Sequence, residues 1–151
     1  LIKVAKILKN KKMDKIMVYM LDSNILYYIM RGRPTIVKEY LKGAVLRRHR
    51  IVLSTVTIFD VTAAARRIRS DELLEYISDI TKRFEVEEFI NDKTRRAYTS
   101  LIYQLKSKHI NFYGRDLQMA AHAISLNATL VTGDVKRYDK IEGLKLENWT
   151  I

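Results

Sequence analysis

Four aspartates in this sequence stand where a carboxylate is costly unless it has something to hold. Asp22 closes the apolar run IMVYMLD (16–22), and Asp60 lies inside VTIFDVTAAARRIR (56–69). Asp116 opens the small-residue run in YGRDLQMAAHAISL (113–126), and Asp134 closes ATLVTGD (128–134). All four have apolar or small neighbours, surroundings that disfavour an unpaired charge. Glu72, Glu75, Asp79, Glu87 and Asp139 lie among polar residues and read as solvated. Carboxylates gathered in one place repel, and one of them protonates unless a cation intervenes. A hard divalent ion, Mg2+ or Mn2+, takes oxygen ligands, water and substrate phosphate and meets that need. Such an ion can turn water into a nucleophile and offset charge on a phosphodiester. The plainer alternative makes Asp22 a strand-end cap, and Asp60 and Asp116 helix-dipole partners worth about 0.3–1 kcal/mol each. Asp60 suits that alternative best, because an acid early in a helix is favourable in its own right. Four such positions together are better explained by a shared ion.

The elements that must position these residues alternate. Strands are predicted at 16–22, 50–55, 85–89, 128–134 and 144–149, from short apolar or alternating runs. Between them the apolar spacing is helical. Ser23 is the expected cap of NILYYIM, and Ile36, Val37, Tyr40, Leu41 and Val45 mark a second helix. A third helix spans 56–69. Ser70 or Asp71 caps a fourth, and Asn91 or Asp92 caps a fifth that runs to about His109. A sixth opens near Asp116, and VKRYDKI (135–141) reads as a turn or short helix. Strands alternating with helices predict the α/β class, a three-layer α/β/α sandwich with a central parallel sheet. Ligands of such sheets bind beyond the carboxyl ends of the strands. Asp22 and Asp134 occupy such ends and meet if the first and fourth strands are neighbours.

The length of 151 residues suits a single domain, predicted over 17–151. Residues 1–16 begin LIKVAKILKNKK, basic and amphipathic, and read as a leader or an appended extension. With no cysteine, disulfides, cysteine zinc sites and a thiol nucleophile are excluded, and a cytoplasmic location is expected. The formal net charge is +11, with basic clusters at RRHR (47–50), RRIR (66–69) and KTRRAY (93–98). That surface favours a polyanionic partner, nucleic acid first.

Three stretches carry a family resemblance. MLDSNILYYIM (20–30) resembles the opening motif of PIN-domain ribonucleases, and LSTVTIFDV (53–61) is similar to their second motif. GRDLQMAAHAISLNATLVTGDVKRYDKIEGLKLENW (114–149) closely resembles the C-terminal third of the VapC toxins in that family. From Ser70 to Tyr113 there is little signal beyond helical pattern. The resemblance implies RNA cleavage by a metal-activated water, with Mg2+ or Mn2+ held by Asp22, Asp116 and Asp134. Asp60 stands where the family usually has Glu; its shorter arm keeps the charge and changes the reach. Position 134 is often Asn in toxin-type members, so its Asp adds negative charge to the pocket. Ser23, Asn24 and Thr132 match small polar positions expected to orient carboxylates or water. Arg31, Arg33 and Arg115 are candidate contacts to nucleic acid; for Arg115, a solvated flank is the equal alternative. His122 reads as a packing residue and Tyr27 and Tyr28 as core. The implied partners are RNA, a cognate antitoxin protein and a second copy of the chain. The alternative functions are a catalytically weak or inactive PIN-like binding module and an RNA-processing PIN nuclease without a toxin role.

Overall fold

Apolar residues fill consecutive positions in the first, second and fourth predicted strands, as a sheet buried on both faces requires. A computed structural model, which describes residues 15–112 and 114–151, has this architecture. The chain order is β1 (Val18–Leu21), α1 (Ser23–Arg31), α2 (Thr35–Leu46), β2 (Arg50–Ser54), α3 (Thr55–Arg67) and α4 (Asp71–Arg83). It continues with β3 (Glu85–Glu87), α5 (Asp92–Ser107), α6 (Gly114–Ser125), β4 (Thr129–Val131), a 3-10 turn (Val135–Arg137) and β5 (Lys145–Glu147). The predicted extension at 1–16 lies outside the described residues except for exposed Lys15 and Ile16.

All strand pairs are parallel, in the order β3-β2-β1-β4-β5. Met20 of β1 stands opposite Val52 of β2 and Leu130 of β4. Side chains alternate between the two faces. Leu21, Ile51, Leu53 and Val131 pack with Ile25, Val37, Val61 and Ile77 of α1 to α4. Met20, Val52 and Leu130 pack with Leu101, Leu105 and Ala120 of α5 and α6. Each face thus has its own core, and the three-layer α/β/α sandwich follows.

The middle third owes its structure to general helix chemistry. The Ser70 hydroxyl accepts from the Leu73 N–H at 3.2 Å, capping α4. Asp71 and Glu72 open that helix and Lys82 and Arg83 close it, in favourable order for its dipole. From β2, Arg50 bridges to Glu85 and, at 3.4 Å, to Glu87, both on the edge strand β3. Charges of this kind protect an edge strand from further pairing. Glu87 is therefore not the solvated acid expected: burial raises its pKa, and its neighbour Glu85 adds to the rise.

One capping assignment also changes. Asp22, not Ser23, is the N-cap of α1, because its extended backbone (φ −74°, ψ 160°) lets Oδ1 accept from the Ser23 N–H. Strand β1 therefore turns into α1 with no linker. The chain lays β2 and β3 on one side of β1 and β4 and β5 on the other. The crevice of such a sheet opens where the order reverses, between β1 and β4.

Candidate active site

Asp22 is 1% exposed at the carboxyl end of β1, and its backbone N–H donates to the Val131 carbonyl of β4 at 3.0 Å. Burial of this charge demands partners, and three supply it. Oδ1 accepts from the Ser23 N–H at 2.8 Å and from Arg115 Nη1 at 2.9 Å, and Oδ2 accepts from the Thr132 hydroxyl at 3.0 Å. Thr132 Oγ1 in turn accepts from Asn24 Nδ2 at 3.2 Å and from the Asp134 N–H at 3.1 Å. Asn24 Oδ1 accepts from the Gly133 N–H at 3.2 Å, which ties the loop after β4 to the first turn of α1. The expected supporting trio of Ser23, Asn24 and Thr132 therefore surrounds Asp22, with Ser23 acting through its backbone.

Arginines join the other three carboxylates to this anchor. Arg115 Nη1 lies 3.6 Å from Asp60 Oδ2, and Nη2 lies 3.7 Å from Asp116 Oδ1. Arg137 reaches Asp116 at 3.4 Å and Asp134 at 2.9 Å. Arg115 thus neither flanks the site nor faces solvent; it sits among the acids. Burial works against its charge, but Asp22 and Asp60 outweigh this and hold its pKa above the ordinary value. Tyr138, fully buried, donates its hydroxyl to Asp116 Oδ1 at 3.2 Å. Burial, reinforced by Asp22 and Asp116, pushes its pKa far up, so the phenol stays a donor at any working pH.

The tertiary fold gathers all four predicted acids and adds two residues, Arg137 and Tyr138. Their one signal was position, directly after Asp134 in the turn, where an arginine three residues on can reach back. Arg31 and Arg33 are not brought to the acids. Arg31 ends α1, whose nine residues span about 13 Å from Asp22, and Arg33 lies just beyond its Gly32 cap. His122 is a support, as expected. It is wholly buried, its Nδ1 lies 2.8 Å from Ser54 Oγ, and its ring meets Phe89 edge-on at 5.7 Å. Burial lowers its pKa to about 4, so it is neutral at pH 7. Ser54 also accepts from the Val56 N–H, so its hydroxyl ties the ring to the first turn of α3. The other nitrogen, Nε2, is buried with no hydrogen-bond partner among the described residues. Tyr27 and Tyr28 pack against the core.

Four carboxylates meet two guanidiniums here, which leaves two negative charges uncompensated. Oxygen donors with that excess fit one hard divalent ion. Among the described residues no three acids converge as a ready set of metal ligands, and Arg115 pairs with three of them.

Comparison with known proteins shows the family of the chain. The PIN-domain family profile matches residues 19–144. Ribonuclease VapC1 of Haemophilus influenzae (strain R2866) is 33% identical over 135 residues, 89% of this chain and 99% of that protein. Ribonuclease VapC2 of Rickettsia felis is 31% identical over 134 residues, covering 88% and 98%. Among solved structures, VapBC2 of Rickettsia felis bound to a promoter DNA fragment superposes with a TM-score of 0.79 at 29% identity, over 88% of this chain and 99% of that one. VapBC-1 of nontypeable Haemophilus influenzae superposes with a TM-score of 0.77 at 33% identity, over 89% and 100%. The chain belongs to the PIN-domain family and, within it, to the VapC group.

Proposed function

We propose that the protein is a metal-dependent endoribonuclease, the toxin of a toxin–antitoxin pair. One observation carries the chemistry: four carboxylates with two uncompensated negative charges share one crevice at the strand-order reversal of a strongly basic chain. The relatives are named ribonucleases, and the structural neighbours are complexes of toxin with antitoxin. These support RNA as substrate and an antitoxin as partner.

Hydrolysis forms a bond from a water oxygen to phosphorus and breaks the bond to a sugar oxygen, which leaves with a proton. A bound Mg2+ or Mn2+ supplies the means to deprotonate water at neutral pH and to offset charge on the phosphodiester. Asp22, Asp116 and Asp134 are the residues to hold it. The Ser23 N–H and Thr132 hydroxyl fix the two oxygens of Asp22, and Tyr138 fixes Asp116. Asp60, the most loosely held of the acids on this side, has room to orient the attacking water. Arg115, once released from Asp22, can meet phosphate.

The test is cleavage of an RNA substrate with Mg2+, Mn2+ or EDTA, by the wild type and Asp116→Asn, alongside Mn2+ titration by electron paramagnetic resonance. Metal-dependent cleavage that is lost with Asp116→Asn is expected. Undiminished cleavage by the variant, with its fold intact, would refute the assignment. A wild type that fails to bind Mn2+ at millimolar levels would favour the inactive binding module.

A further inference from the structure

We infer that the cavity beside Asp116, walled by Lys136, Arg137, Lys140, His109 and Phe112, binds a backbone phosphate of the RNA strand next to the one that is cleaved. The inference rests on the ribonuclease reading of the acidic centre and adds a direction to it. The cavity encloses about 520 Å³ and shares Asp116 with the centre, so the two are continuous. Arg137 spans them, lining the cavity while reaching Asp116 and Asp134. Lys136 and Lys140 are exposed and form no ion pair with any carboxylate among the described residues. Asp139, between them in sequence, pairs with neither. Two unneutralised ammonium groups on the wall of a concave site make a place for a phosphodiester. Phe112 packs against buried Tyr138, ring centroids 6.1 Å apart. Tyr138 also holds Asp116, so cavity wall and acidic centre share one rigid support.

The opposite flank offers a polyanion nothing comparable. The groove there is lined by Phe59, Asp60, Glu88, Ile90 and Arg115. It carries two carboxylates, and its arginine is committed to Asp22 and Asp60. Phe59 and Ile90 are 74% and 91% exposed. A strand whose scissile phosphate lies over the acids therefore places its neighbouring phosphate on the lysine side.

The test is RNA binding in EDTA, followed by fluorescence anisotropy of a labelled single-stranded oligonucleotide across a range of NaCl. Lys136→Gln/Lys140→Gln is compared with Lys42→Gln/Lys82→Gln, which removes the same charge. Lys42 and Lys82 are exposed near the ends of α2 and α4, just before β2 and β3 begin, at the opposite edge of the sheet. Each lost contact to a single strand lowers the slope of log K against log [salt] by about 0.7, so the pocket pair should lose about 1.4. The control pair should lose less than half of that. With metal present, kcat/KM of the pocket variant should fall while Mn2+ affinity stays unchanged. Equal slopes for the two double variants would overturn the proposal and leave the ribonuclease reading intact. RNA bound with the expected slopes but never cleaved would keep the phosphate pocket and sink the nuclease.

Discussion

Asp22 and Asp60 face the same guanidinium and are held in opposite ways. Asp22 is 1% exposed and carries fixed donors from α1, from the loop after β4 and from Arg115. Asp60 has a side chain 42% exposed, and its ion pair is Arg115 at 3.6 Å. The first carboxylate is positioned by the sheet and cannot move without unpairing strand ends. The second rides on a helix surface and can follow whatever enters the crevice. A site with one fixed oxygen cluster and one adaptable acid can hold an ion in place and still reorient water and phosphate around it.

The sharpest way to break this contrast is to neutralise each acid in turn. Asp22→Asn should lower kcat for RNA cleavage about 10²–10³-fold, the cost typical of removing one preorganised electrostatic group. Asp60→Asn should cost roughly tenfold by the same scale, discounted for its looser hold. Single-turnover cleavage rates compare them, and equal losses would erase the distinction. Arg115 links the two acids, so its removal should act on metal and stability in opposite senses. Arg115→Ala should lower stability in EDTA by about 2 kcal/mol, less than for a fully buried pair because the arginine is partly exposed. The same variant should bind Mn2+ more tightly, about tenfold, since the ion no longer competes with a guanidinium. Urea denaturation with and without Mn2+ reads both effects.

The fixed half should also be sensitive to acid. His122 is neutral in the fold with a pKa of about 4, below the ordinary 6.5, so the unfolded chain takes up its proton first as pH falls. Stability is thus unaffected above about pH 7, is lost from about pH 6.5 downward, and levels off near pH 4. Between pH 7 and pH 5 the loss should be about 2 kcal/mol. His122→Gln should lose that component, so the difference between its denaturation midpoints at the two pH values should shrink. The smallest effect belongs to Thr132→Val, which leaves Asp22 Oδ2 without its hydroxyl donor. About 1–2 kcal/mol is expected by urea denaturation, with a raised metal dissociation constant if the orienting role holds.

Much of this molecule was legible in its sequence. The consecutive apolar residues of IMVYML, RIVLS and ATLV marked strands buried on both faces, and the intervening helical spacing required a parallel sheet. The acids stood out because each interrupted an apolar or small-residue context. Local signals failed where two groups compete for one role. Ser23 looked like the cap of α1, but Asp22 takes it, because a strand end and a helix start coincide there. Glu87 looked solvated, but the edge strand draws Arg50 across it. Arg115 gave no sign of which neighbour it would choose, since a guanidinium five bonds long reaches several.

The sequence by itself determined the fold class, four carboxylates in apolar or small-residue contexts and the absence of any thiol or disulfide chemistry. Periodicity, capping and composition are local properties, and they suffice for that. Only the tertiary structure decided that β1 and β4 are neighbours, which brings Asp22 within reach of Thr132. It also decided that Arg115 and Arg137 thread the acids together, that Tyr138 is buried beneath Asp116 and that Arg31 and Arg33 are left at a distance. Those facts depend on strand order and on contacts across about 90 residues or more for Asp22. No local pattern encodes a partner that far along the chain; packing two cores against one sheet selects it.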